Sequence, residues 1–201
     1  MIKGILFDYD DTLSDRCLSA YHYYQSIMQR IFPDINPLSA EFEAIVQRCM
    51  TWDQFGRTHK RYVFQELKKA YALDIDIEQE VQYWYDHFQD FQVPQPRSKE
   101  ILGKLKEKYK LGVITNGRSS TQLSKIKNMG LNPYFQTILA SGDYETAKPE
   151  PELYELAAKN LGLKCSECAF IGDTFATDIL GAIRVGMLPV WFNYKREVPS
   201  E

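Results

Sequence analysis

Asp8, Asp10 and Asp11 put three carboxylates within four residues, directly after the apolar run Ile5-Leu6-Phe7. Like charges this close repel, and nothing structural is gained by gathering them at the end of a buried segment. Their natural chemistry is to ligate a hard divalent cation through oxygen, to share a proton, or both. A carboxyl with an ordinary pKa near ~3.9 is an anion at neutral pH, so Asp8 can attack an electrophile without a base. An EF-hand loop beginning at Asp8 is excluded, because its sixth position would be Leu13 rather than Gly and its twelfth Ser19 rather than Glu. Three later signals keep company with the acids: Thr115-Asn116-Gly117, Lys148 before Pro149, and Gly172-Asp173 with Asp178 following. Each closes a strand-like run or opens a helix-like one. Taken singly, a Thr at a strand end can simply bond its own turn, and a lone Lys is usually a solvated surface residue.

The elements that must carry these groups follow from periodicity. Ile2 to Phe7 reads as a buried central strand, so Asp8 falls at a carboxyl edge, where open α/β sheets bind ligands. Helical spacing then runs through Asp15 to Phe32, Ser39 to Met50, Trp52 to Leu73 and Ile77 to Phe91, before Val93-Pro94-Gln95-Pro96 forms a stiff linker. From Ser98, the expected N-cap of a helix over Lys99–Lys108, the strand–helix alternation resumes. Strands are expected at 111–114, 137–140, 169–171 and 188–192, with helices at 119–129, from Pro151 to Asn160, and at 176–185. This rhythm means an α/β fold, a parallel sheet flanked by helices, with an all-helical insertion. The core is expected at 1–15 and 93–201, the helical subdomain at 16–92.

With 201 residues, 25% charged and 44% apolar, the composition is ordinary for a globular protein. A net charge of −3 without a basic stripe argues against a nucleic-acid polymer as partner. The N-terminal apolar stretch is too short for a signal peptide and no membrane-length run follows, so a cytoplasmic address and no membrane partner are expected. Cys165 and Cys168 form a C-x-x-C, but no second pair lies at zinc spacing; Cys168 is more simply the first buried residue of a strand.

In this order, Asp8-x-Asp10-x-Thr12, Thr115, Lys148 and Gly172-Asp173-x4-Asp178 resemble the four motifs of the haloacid dehalogenase superfamily. The insertion after the first motif resembles the branch with a helical cap on its Rossmann-like core. The resemblance implies that Asp8 is a nucleophile, that Mg²⁺ is bound by Asp8, Asp173 and the main-chain carbonyl of Asp10, and that Asp178 orients the ion's waters. Asp10 would then use its side chain as proton carrier, protonating the departing alkoxide and later taking a proton from the attacking water. Thr115, with Asn116 and the Gly117 amide, would bind the phosphoryl oxygens, and Lys148 would balance charge at Asp8. Thr12 would orient Asp10 by a hydrogen bond; Asp11 would be structural.

The implied activity is Mg²⁺-dependent hydrolysis of a small phosphorylated metabolite by a monomer or homodimer. The Thr115-Asn116-Gly117 and Gly172-Asp173-Thr174 variants, with Trp191-Phe192-Asn193 at the end, resemble nucleoside-monophosphate phosphatases, which suggests a nucleoside 5′-monophosphate. Aromatics near the first hinge (Tyr9, Tyr21, Tyr23, Tyr24) and the group Trp52, Phe55, Arg57 are candidate substrate readers, although helical aromatics more often serve as core. The Arg57–Arg61 cluster is either an anion-greeting patch or a solvated helix face. Competing readings are a phosphosugar mutase sharing every motif, a metal-independent 2-haloacid dehalogenase, which the acid at Asp10 disfavours, and a phosphoacceptor signalling domain or idle binding module. A dinucleotide oxidoreductase is excluded, since no G-x-G-x-x-G follows the first strand.

Overall fold

The computed structural model describes residues 1–194. Its strands are β1 (Gly4–Phe7), β2 (Lys110–Thr115), β3 (Thr137–Ala140), β4 (Cys168–Gly172) and β5 (Leu188–Trp191), all parallel in the order β3-β2-β1-β4-β5. The helices are α1 (Arg16–Ile31), α2 (Ala40–Asp53), α3 (Lys60–Tyr71), α4 (Ile77–His87), α5 (Ser98–Lys106), α6 (Ser119–Asn128), α7 (Pro151–Asn160) and α8 (Leu180–Arg184). The chain divides into two compact units, Met1–Asp15 with the chain from Pro94, and Arg16–Val93. Among the described residues no helix is long and apolar enough to cross a membrane.

The period of two along β1 explains how the α/β unit is held together. Leu6 faces one layer with Ile114, Phe170, Leu153, Tyr154 and Ala157, while Ile5 and Phe7 face the other with Leu102, Val113 and Ile126. Both faces are covered, as a parallel sheet requires. Leu6 is fully buried, so truncation to Ala would cost ~2–5 kcal/mol. The register sets Phe7 level with Val113 on one side and Ile171 on the other. Asp8 therefore leaves β1 where β2 and β4 are also ending. The strand order reverses between β1 and β4, which is where such sheets open a crevice for ligands.

The inserted unit has its own core, in which Tyr23, Tyr24, Ile27, Phe42, Phe64 and Phe88 are almost or wholly inaccessible. Ser39 caps α2 by accepting from the Phe42 amide at 3.1 Å, and Asp76 caps α4 by accepting from Glu78 and Gln79 at 2.9 and 3.2 Å.

Three of the departures from expectation have a clear physical cause. The helix expected over Trp52–Leu73 is broken: Gln54, Phe55 and Gly56 all take positive φ (46°, 57° and 83°), and α3 restarts at Lys60. The cause is Asp53, whose buried carboxylate accepts from the Gly56 amide at 2.7 Å and is paired with both Arg16 and Lys60. Ser98 is the first residue of α5 rather than its cap, because the chain turns at Arg97 (φ 63°) and the Ser98 amide donates to Gln95 O at 3.1 Å. The helix expected over 176–185 opens with a wider turn, Phe175–Ile179, in which the Leu180 amide bonds the carbonyl of Phe175, and only then narrows into α8.

Candidate active site

At the carboxyl edge of β1 and β4, Asp8, Asp173 and Asp178 each present an oxygen within 4.8 Å of the others. All three are buried. Asp8 is placed by its own strand, with its amide donating to Ile171 O at 2.8 Å. Asp173 follows directly on β4, and its main-chain carbonyl accepts from Trp191 Nε1 at 2.8 Å. Asp178 comes back to the strand end from the wide helical turn, its Oδ2 accepting from the Thr174 amide at 3.0 Å and its Oδ1 from Thr177 Oγ1 at 3.3 Å. Gly172 is required for that return. A Cβ there would stand 2.5 Å from Asp178 Cγ, so any larger residue would drive the carboxylate away.

Lys148 completes the cluster. Its Nζ lies 2.6 Å from Asp8 Oδ1 and 2.7 Å from Asp178 Oδ1. Its main chain is gripped by the Asn116 side chain, which donates to Lys148 O at 3.0 Å and accepts from the Lys148 amide at 2.9 Å. Burial alone would lower the Lys148 pKa, but Asp178 and Asp8 more than reverse that and hold the ammonium protonated. Asp8 departs from the simple picture of a free anion. Burial raises its carboxyl well above the usual range, Lys148 opposes the rise, and Asp178 and Asp173 add to it. Three carboxyl groups gathered around a single ammonium present the hard oxygen donors that a divalent cation takes.

The expected residues do not all converge on one point. Thr115 ends β2 beside the cluster, buried, with its Oγ1 accepting from Gln122 Nε2 at 2.6 Å. Because its oxygen is already accepting, its hydroxyl hydrogen is directed elsewhere. The Asn116 side chain is occupied by Lys148, and the Gly117 amide donates to Ser141 Oγ at 2.9 Å. The Asp10 side chain lies outside the three-carboxylate group. Its two oxygens meet Lys125 Nζ at 2.8 and 2.9 Å, and Oδ2 also accepts from Gln122 Nε2 at 3.0 Å. Thr12 does not orient Asp10: its buried Oγ1 has no hydrogen-bond partner among the described residues, and the orienting bonds come from α6. Asp11 is buried in a left-handed turn (φ 60°), a conformation Asp tolerates better than most.

Three of the candidate readers are core, and Tyr21 and Trp52 are half-buried against the core of the helical unit. Tyr9 is inaccessible and its hydroxyl donates to Met129 Sδ at 2.8 Å, while Tyr23 and Tyr24 are inaccessible within the helical unit. Tyr21 donates to Glu43 at 2.7 Å. Within the same unit, Phe55, Arg57, Arg16 and Met50 line a cavity of about 560 Å³. The basic cluster is not one patch: Lys60 is buried on Asp53, His59 caps α3 through Nδ1, and Arg61 pairs with Glu78.

Gln122, Lys125 and Ser141 were not legible as site residues. The only available signal was that Gln122 and Lys125 fall on one face of α6 with the apolar Ile126 and the capping Met129, whereas a polar helix would keep such residues in water.

Fold and acid cluster together define a doubly wound α/β protein with a candidate site at the switch between β1 and β4. A model of the haloacid dehalogenase-like hydrolases matches residues 5–192, and the chain belongs to that family. A glyceraldehyde 3-phosphate phosphatase from Pyrococcus abyssi is 29% identical over 199 residues, covering 96% of this chain and 82% of its own length. The N-acylneuraminate-9-phosphatase of Homo sapiens is 25% identical over 214 residues, covering 98% and 85%. Among solved structures, a hydrolase of this superfamily from Bacillus subtilis, bound to magnesium, superposes with a TM-score of 0.74 at 23% identity, covering 99% of this chain and 90% of that one. The chain is thus an enzyme of the family in which those relatives are named phosphatases.

Proposed function

We infer that the chain is a Mg²⁺-dependent phosphomonoester hydrolase that works through a transient aspartyl-phosphate on Asp8. The observation that carries this reading is the convergence of Asp8, Asp173 and Asp178 on one point with the Lys148 ammonium bonded to the first and last of them. The donor set suits magnesium, since carboxylate oxygens are hard ligands. Asp8 and Asp173 would hold it with the main-chain carbonyl of Asp10, and Asp178 would orient its waters. When bound, the ion screens the approach of an anionic phosphoryl group to an anionic nucleophile and stabilises the charge that develops on the transferring oxygens.

The chain's own residues supply the rest. An Asp8 oxygen attacks phosphorus, and Lys148 offsets charge at that oxygen throughout. Thr115 Oγ, kept as an acceptor toward Gln122, is left to donate its hydrogen to a phosphoryl oxygen. Asp10 gives a proton to the leaving alkoxide, then takes one from the water that opens the acyl phosphate. Such a group is worth about 10²–10⁴ in rate. Residues 16–92, a helical body with its own core, are assigned to substrate selection.

The two named relatives act on phosphorylated small carbohydrates and their derivatives, which supports a substrate of that class beside the nucleoside 5′-monophosphates suggested by the loop residues. The test is a panel of both kinds, including glyceraldehyde 3-phosphate and N-acylneuraminate 9-phosphate, assayed for inorganic phosphate. Phosphate release that EDTA abolishes and Mg²⁺ restores is expected. Isomerised phosphosugar without free phosphate would make the enzyme a mutase, and metal-independent halide release from a 2-haloacid would make it a dehalogenase.

A further inference from the structure

We propose that Lys125 and Gln122, neighbouring side chains on α6, are positioning residues that aim the Asp10 carboxyl and tie it to the phosphate-binding end of β2. This rests on the reading of Asp10 as proton carrier. Lys125 is buried, yet its Nζ reaches both Asp10 oxygens, at 2.8 and 2.9 Å, and sits 5.6 Å from the centre of the Tyr9 ring. A lysine is seldom sunk to this depth without a designated anion, and here the anion is an acid of the first loop, 115 residues away in sequence. Gln122, equally buried, brings one amide nitrogen within bonding distance of Asp10 Oδ2 (3.0 Å), Thr115 Oγ1 (2.6 Å) and Asn116 O (3.0 Å). A single side chain therefore fixes the spacing between the proton carrier and the hydroxyl assigned to the phosphoryl group.

The two-point contact of Lys125 matters for chemistry. When Asp10 carries a proton on one oxygen, the other can remain on Lys125, so the carboxyl keeps its aim in both halves of the reaction. In the first half the Asp8–phosphorus bond forms, the bond from phosphorus to the leaving oxygen breaks, and that oxygen takes the proton from Asp10. In the second, water attacks phosphorus, gives its proton to Asp10, and the Asp8–phosphorus bond breaks. Loss of the positioning bonds should therefore hurt most where the leaving oxygen cannot depart unprotonated.

Single-turnover release of the leaving group separates this from a purely structural brace. An alkyl phosphate needs the proton; p-nitrophenyl phosphate does not. For Lys125→Met the alkyl rate should fall by about tenfold to hundredfold, with the aryl rate and aryl KM within about threefold of the parent. Lys125→Arg, which keeps a cation with forked donors, should recover most of the loss, and Gln122→Leu should show the same discrimination with a raised KM through Thr115. Lys125→Gln serves in place of the Met variant if the latter does not fold. Equal losses on both substrates, or none on either, would overturn the positioning role while leaving the proton carrier intact, provided Asp10→Asn still discriminates between the substrates. If Asp10→Asn fails to discriminate, the proton-carrier reading falls and this inference with it.

Discussion

Asp10 separates two jobs that lie close together in the chain. Its side chain belongs to Lys125 and Gln122, not to the three-carboxylate group, so its proposed contact with magnesium is through the main chain alone. Asp10→Asn should accordingly leave Mg²⁺ affinity, read by titration calorimetry, within about threefold while removing proton transfer worth about 10²–10⁴ in rate. A lost metal site would make the side chain a ligand. Asp8, Asp173, Lys148 and Asp178 were legible from sequence because each sits at a strand end or helix entry with a distinctive neighbour. Lys125 was not, since a lysine on a helix gives no sign of burial until the opposite wall of its pocket is known. Asn116 was legible as a site residue, but its grip on the Lys148 main chain depends on a contact across 32 residues that spacing alone does not reveal.

At the scale of elements, the break between α2 and α3 is the clearest case of tertiary structure overriding periodicity. The apolar spacing of Trp52 to Leu73 continues through it, yet Asp53 recruits Arg16, Lys60, the Gly56 amide and the Tyr24 hydroxyl, and the chain bends to deliver them. Burial would raise the Asp53 carboxyl, but Arg16 and Lys60 hold it at about 2. A depressed pKa contributes stability that is present above the unfolded value near ~3.9 and is lost as pH falls toward the folded value, here worth about 2–3 kcal/mol. Asp53→Asn should therefore lower stability at neutral pH, by about 3–5 kcal/mol if both cations stay buried, and flatten the acid limb between about pH 4 and pH 2. Urea melts across that range measure both; an unchanged acid limb would mean Asp53 is not the group responsible. The wide turn ahead of α8 is a second override. It delivers Asp178 to Lys148 and the Thr174 amide, a demand set by the site rather than by local propensity.

For the molecule as a whole, the alternation of strand and helix made the parallel sheet legible, because β1, β2 and β4 are buried on both faces and read as apolar runs. The helical insertion was legible for the opposite reason, a long stretch without any strand. What selects the substrate was not. The aromatics nearest the first motif, Tyr9, Tyr23 and Tyr24, are committed to core, and the exposed Phe55 stands on a left-handed turn that no local pattern announced. The central claim is chemical and can be tested at one residue. Enzyme quenched during turnover of a phosphomonoester with Mg²⁺, then treated with borohydride, should yield homoserine at position 8 by peptide mass spectrometry, with no such product from Asp8→Asn or from enzyme without substrate. Reduction at a different carboxylate, or phosphate release by Asp8→Asn at a rate within about tenfold of the parent, would contradict the account.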